Sequence, residues 1–132
     1  EKAKTYPLSP SGTPGVQTLL PVMLHHVNAG RLTIEKLVEL MCYGPQRIHG
    51  LVGKGRIAHG YDADITVVDM AKVDTITQAQ QKSRAGWTPF EGMAIRGWPV
   101  MTIINGEMAM REGQLQGVKA GKMLRFHESH NA

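Results

Sequence analysis

Near Leu51 the hydrophobic periodicity of this chain changes from helical to strand-like, and that change divides it into two unlike parts. Before it, Val16, Leu19, Leu20, Met23, Leu24 and Val27 recur at helical spacing. Thr13 is placed as their cap, Pro14 suits a first helical position, and Gly30 closes the element. A second helix is predicted behind Thr33, with Ile34, Leu37, Val38, Leu40 and Met41 as its apolar face. Gly44-Pro45 is expected to break it, and Pro45 to start a short third helix through Ile48. After Leu51, Gly53, Gly55 and Gly60 punctuate a loop-rich stretch. The β-branched run Asp64 to Asp69 predicts a short strand, and residues 77–92 are polar and irregular. Val100 to Ile104 predicts another strand, Asn105-Gly106 a hairpin turn, and Glu107 to Arg111 the returning strand, which ends at Glu112-Gly113. A further short strand is predicted near Met123 to Phe126.

Composition narrows what such a chain can do. Its 15 Lys and Arg are scattered among 11 Asp and Glu for a net charge of +4, with no basic stripe and no aromatic interleaving. A mixed solvated surface is expected, with no nucleic-acid partner. No apolar run approaches membrane-spanning length, so no membrane partner is expected. The chain begins Glu1-Lys2-Ala3-Lys4, without an initiator Met or signal peptide. Cys42 has no second cysteine to pair with, which fits a reducing cytoplasm, and its apolar helical setting predicts a buried structural thiol. The amphipathic helices need another surface to cover their apolar faces, and the four or five weakly alternating strands supply little of it. A missing N-terminal part of the same chain is expected to account for that apolar excess.

The residues that carry chemistry do not assemble a catalytic centre. There are six histidines, but His25 and His26 are adjacent on a helix and point about 100° apart. His-x-His, His-Glu-x-x-His and Cys-x-x-Cys are absent, and His127 and His130 lie near the terminus. In Gly60-Tyr61-Asp62-Ala63-Asp64, Asp62 reads as a turn cap and Asp64 as the lead into a strand. Gly53-Lys54-Gly55 is too short for a phosphate loop. No catalytic residue and no metal ligand is therefore expected in this chain. The loop Ser11-Gly12-Thr13-Pro14-Gly15 differs, because Gly12 lets backbone groups approach a ligand and the following helix directs unsatisfied N–H groups toward the same place. It suits a small amide- or carboxylate-bearing ligand. The same residues also read as a plain helix-entry turn.

Four segments together resemble a known family. Glu1-Lys2 followed by Pro10-Ser11-Gly12-Thr13-Pro14-Gly15-Val16-Gln17-Thr18 resembles the segment after the catalytic Asp-His-Ala-Pro-His motif of class I dihydroorotases. Gly53-Lys54-Gly55-Arg56-Ile57 through Gly60-Tyr61-Asp62-Ala63-Asp64-Ile65 to Asp69 is similar to the family's late Lys-Gly-x-Ile-x-x-Gly-x-Asp-Ala-Asp signature. Ser83 to Gly92 with Gly97-Trp98-Pro99-Val100, and the hairpin at Asn105-Gly106, fit its C-terminal segment in the same order.

The resemblance implies an α/β fold of the amidohydrolase superfamily: the C-terminal fragment of a distorted (β/α)8 barrel plus the C-terminal part of a small β-sandwich. Residues 1–50 would be the last barrel loop and closing helices, and residues 51–132 the sandwich segment. The implied activity is a hydrolase acting on a cyclic amide, the reversible hydrolysis of dihydroorotate to N-carbamoyl-L-aspartate in pyrimidine biosynthesis. In the family a metal-bound hydroxide attacks the ring carbonyl and an Asp moves the proton. The zinc ligands and that Asp would precede Glu1, so this chain alone is expected to hold no zinc and to be inactive. Ser11 and Gly12 match the family's substrate-contacting pair, which acts largely through backbone atoms. Many members carry Phe-Gly there, so Ser11 departs from the pattern. The resemblance further implies a cytoplasmic homo-oligomer with a small-molecule substrate. Allantoinase, dihydropyrimidinase and a non-catalytic dihydroorotase-like scaffold are the rival readings, and a stand-alone interaction domain is a rival from another class.

Overall fold

Apolar side chains at helical spacing behind a Gly/Pro loop produce the first element, α1 (Val16–Asn28). A computed structural model describes residues 4, 5, 7–9, 11–117 and 121–127, so Glu1, Lys2, Pro10 and His130 lie outside the described residues. Thr13 does not cap α1. The helix starts two residues later, behind Gly15, whose carbonyl accepts the N–H groups of Thr18 and Leu19 at 3.1 and 2.8 Å. Its C-terminus is the expected glycine stop. Gly30 has φ +69, its N–H bonds the Val27 carbonyl, and the Arg31 N–H bonds the His26 carbonyl, a Schellman arrangement.

Thr33 caps α2 (Ile34–Val38) as expected, its hydroxyl accepting the Lys36 N–H at 3.2 Å. Gly44-Pro45 does not break the helix. The backbone widens into a π-helical turn (Glu39–Tyr43) and continues into α3 (Gly44–Ile48). The Gly44 N–H reaches back five residues to the Glu39 carbonyl, and a Cβ at Gly44 would lie 2.7 Å from that oxygen. Glycine lets the turn stay this tight, and Pro45 has no N–H that a widened turn would strand. Leu37 and Gly44 are buried and Met41 is half-buried, whereas Cys42 is exposed. The expected buried thiol is therefore corrected: it stands off the Leu37–Met41–Gly44 stripe.

Beyond Leu51 the chain forms one antiparallel meander in the order β1-β2-β3-β4. The strands are β1 (Ile65–Thr75), β2 (Ala94–Ile104), β3 (Glu107–Arg111) and β4 (Gln114–Leu115). Both long strands outrun their predictions. β1 passes through an irregularity between Asp69 and Val73, where the Asp69 carboxylate accepts the N–H groups of Ala71 and Lys72 at 2.8 and 3.1 Å. β2 begins six residues before Val100, and Gly97 lies opposite that irregularity, between the pairs Asp69–Trp98 and Val73–Arg96. The Asn105-Gly106 turn forms with φ +49 and +85, and Glu112-Gly113 makes a second such turn, with φ +46 and +76, into β4. The expected strand at Met123 to Phe126 is only an isolated pairing of Phe126 with Leu51.

The packing surface of α1 is not the stripe that its apolar periodicity suggests. Thr18, Pro21 and Leu24 are buried, while Val16 and Leu19 face solvent at 98% and 52% exposure. Thr18 tolerates burial because its hydroxyl bonds the Gly15 carbonyl at 3.3 Å. Leu24, Leu37, Ile76 and Ile95 form the buried core, so the small sheet carries a helical layer on one side. The content is thus α/β, with an antiparallel sheet.

Candidate functional site

The loop before α1 is held open on its outer side. Ser11, Gly12 and Thr13 are exposed, and Pro14 and Gly15 are half-buried. Gly12 has φ +82 with open space where a Cβ would stand. The backbone there is free to meet a ligand, and only glycine adopts this conformation without strain. Two clefts meet at the start of α1. One of about 340 Å³ is lined by Pro14, Gly15, Val16, Gln17, Gln81 and Ser83. The other, of about 390 Å³, lies behind Gln17 and is lined by Thr18, Pro21, Ile76, Trp98 and Glu112, among others. Gln17 stands between them. Its Nε2 donates to the Gln80 carbonyl at 2.8 Å and its Oε1 accepts the Lys82 N–H at 2.9 Å. Nothing in the local sequence pattern pointed to Gln17, because its partners are 63 and 65 residues away.

The histidine pair is engaged in packing. His25 Nδ1 accepts the Arg96 N–H at 3.3 Å, and His26 Nδ1 accepts from the Arg31 guanidinium at 2.9 Å. Their rings are 6.1 Å apart and tilted by 54°. Among the described residues no three His, Cys, Asp or Glu side chains converge to hold a metal ion. The described side chains therefore do not fit a zinc site.

Asp62 and Asp64 are brought together by a lysine. Lys54 Nζ lies 3.0 Å from Asp62 Oδ2 and is also hydrogen-bonded to Asp64 Oδ2. Asp64 Oδ1 accepts the Asn105 N–H at 2.8 Å, so the cluster ties the Gly53–Asp64 loop to the β2–β3 turn. Asp64 leads into β1 as expected, and Lys54 is the partner that the sequence reading missed. Lys54 and the Asn105 N–H hold the Asp64 carboxyl below the usual carboxylate range, and Asp64 first, then Asp62, raise Lys54.

A folded-state carboxyl that is depressed contributes stability above its unfolded pKa and loses it as pH falls through the folded value. A raised lysine contributes below its unfolded pKa and loses it as pH rises through the folded value. The cluster is therefore intact across neutral pH. Asp64→Asn is expected to cost about 1 kcal/mol at neutral pH, the scale of a partly exposed ion pair. That deficit is expected to vanish in acid, below the depressed Asp64 value. Urea denaturation of both proteins across the acid range measures this, and a deficit that persists at the acid end would rule the linkage out.

The amidohydrolase family is matched over residues 15–109. The chain is 40% identical over 114 residues to a dihydroorotase from Pyrococcus furiosus, which covers 86% of this chain and 27% of that protein. An L-hydantoinase (dihydropyrimidinase) structure from Arthrobacter aurescens superposes with a TM-score of 0.78 at 36% identity, covering 81% of this chain and 24% of that one. A D-hydantoinase (dihydropyrimidinase) from Thermus sp. gives 0.80 at 32%, covering 85% and 25%. This chain spans about a quarter of the length of these relatives. The helix behind the Gly12 loop, β1, β2 and the Asn105-Gly106 turn all lie within the matched span, and the chain belongs to the amidohydrolase family.

Proposed function

We propose that this chain is the C-terminal portion of a dihydroorotase-like cyclic amidohydrolase, a cytoplasmic homo-oligomer in which the complete polypeptide interconverts dihydroorotate and N-carbamoyl-L-aspartate. The observation that carries the reading is the 40% identity to a dihydroorotase over 114 residues. Residues 1–50 then supply the last barrel loop and closing helices, and residues 51–132 one share of a β-sandwich. Apolar side chains on the outer surface agree with a further covering layer: Val16, Ile48, Ile57 and Met123 are between 76% and 98% exposed.

In this reading Ser11 and Gly12 contact the substrate through their backbone, and Gly12, with φ +82 and open space where a Cβ would stand, lets a ligand approach closely. Each neutral hydrogen bond of this kind is worth about 0.5–1.5 kcal/mol net, so the loop orients substrate without binding it tightly. The zinc that the family resemblance implies, and the catalytic Asp, belong to the rest of the polypeptide. The residues of this chain bind and orient. The hydantoinase structures favour a second reading, a hydantoinase or dihydropyrimidinase type of cyclic amidohydrolase.

The test is steady-state hydrolysis by the complete polypeptide of dihydroorotate, hydantoin and dihydrouracil in parallel. Dihydroorotate is expected to give the highest kcat/KM, and the isolated 132-residue chain to give no turnover. A preference for hydantoin or dihydrouracil would install the second reading. Turnover by the isolated chain would overturn the division of labour.

A further inference from the structure

Gln17 sits in the first turn of α1, directly after the loop that carries Ser11 and Gly12. Its amide bridges the two backbone groups that flank Gln81, the Gln80 C=O and the Lys82 N–H, at 2.8 and 2.9 Å. The support it grips is itself braced. The Thr77 N–H donates to Gln80 Oε1 at 3.1 Å, Gln81 Nε2 donates to the Thr77 carbonyl at 3.1 Å, and the Gly92 N–H donates to the Ile76 carbonyl at 2.9 Å. The beginning of α1 needs an outside hold. Gly15 caps it without a side-chain hydrogen bond, and Pro21 brings no N–H to the Gln17 carbonyl. Gln17 lines the cleft of about 340 Å³ together with the loop end, Gln81 and Ser83.

We propose that Gln17 is a positioning residue, which fixes the Ser11–Gly12 loop relative to residues 80–83 so that the loop presents its backbone to substrate in one arrangement. The inference rests on the reading of Ser11 and Gly12 as substrate contacts. Asn28 provides the control, because its amide holds the far end of α1 to the Met70 and Arg96 carbonyls at 3.1 and 2.9 Å.

The experiment compares Gln17→Ala, Gln17→Glu and Asn28→Ala in the complete polypeptide. It reads KM and kcat for dihydroorotate, the melting temperature, and hydrogen exchange of the Thr18 and Leu19 amides, which bond the Gly15 carbonyl at the loop end. Gln17→Ala is expected to raise KM about tenfold, the worth of two neutral hydrogen bonds, with kcat nearly unchanged and faster exchange at Thr18 and Leu19. Gln17→Glu keeps the volume but sets a carboxylate against the Gln80 carbonyl, and is expected to do the same. Asn28→Ala is expected to lower the melting temperature while leaving KM and that exchange unchanged. Equal effects of the Gln17 and Asn28 variants on KM, or unchanged exchange in both Gln17 variants, would overturn the proposal. If the unmodified polypeptide did not turn over dihydroorotate, the functional reading would fall, and exchange at Thr18 and Leu19 would still decide whether Gln17 orders the loop end.

Discussion

Replacing Gly97 by alanine is expected to lower stability by about 3–5 kcal/mol, against about 1 kcal/mol for the same change at Gly92. Both residues have positive φ, +102 and +77. At Gly92 a Cβ would meet open space, so only the backbone preference is lost. At Gly97 the Cβ would lie 2.9 Å from the Leu24 Cβ and 3.0 Å from the Asn28 amide nitrogen. Neither neighbour can swing away. The first is fixed to the α1 backbone of a residue only 1% exposed, and the second donates to the Leu24, Met70 and Arg96 carbonyls. The helix would have to rise off β2, uncovering Leu24 and leaving the carbonyls at the sheet irregularity without their donor. Urea midpoints at unchanged slope measure the difference. Equal losses at the two glycines would mean that the seam between α1 and β2 yields freely.

Gly55→Ala is expected to cost about 2–4 kcal/mol, again against about 1 kcal/mol at a matched open glycine, Gly60. Their φ values are +79 and +82. At Gly60 nothing lies within 4 Å of the added atom, whereas at Gly55 the Cys42 carbonyl oxygen and the Gln46 Cβ would each be 2.7 Å away. Both obstacles belong to the π-helical turn and α3. Moving Gln46 also threatens its amide bond to the Leu51 carbonyl at 2.8 Å, and moving the loop draws the Arg56 guanidinium from its place 4.2 Å over the Tyr43 ring. Thermal melting of the two variants tests this. Matched melting temperatures would show that the loop, not the helix, absorbs the methyl group.

These sites explain which parts of the fold were legible in advance. The existence of α1 and α2, the Thr33 cap, the Gly30 stop and the Asn105-Gly106 turn each depend on residues within a few positions of one another, and all were readable. The Thr13 cap, the break at Gly44-Pro45, the buried Cys42 and the strand at Met123 to Phe126 were misplaced. Only Phe126 answers to a distant partner, Leu51; elsewhere a competing local hydrogen bond chose otherwise. Pro45 illustrates it: the expected break became a π-turn because the Gly44 N–H could reach the Glu39 carbonyl. In the candidate site the Ser11–Gly12 loop stood out from its own glycine and proline. Gln17, Asn28 and Lys54 did not, since what they do is defined by Lys82, Arg96 and Asp64.

The order of residues by itself determined the change from helical to strand periodicity near Leu51, the turns that need positive φ, and the likeness to dihydroorotases, because each is carried by local conformational preference or by motif. Only the tertiary structure decided which face of α1 is buried. Of the apolar stripe Leu24 is buried but Val16 and Leu19 face solvent, while Thr18 and Pro21 go inside with Leu24, which meets β2 at the notch left by Gly97. The same docking decided that Gln17 grips residues 80–82. Periodicity says that a helix has an apolar side, but the shape and unpaired backbone groups of the surface beneath select the orientation that is buried.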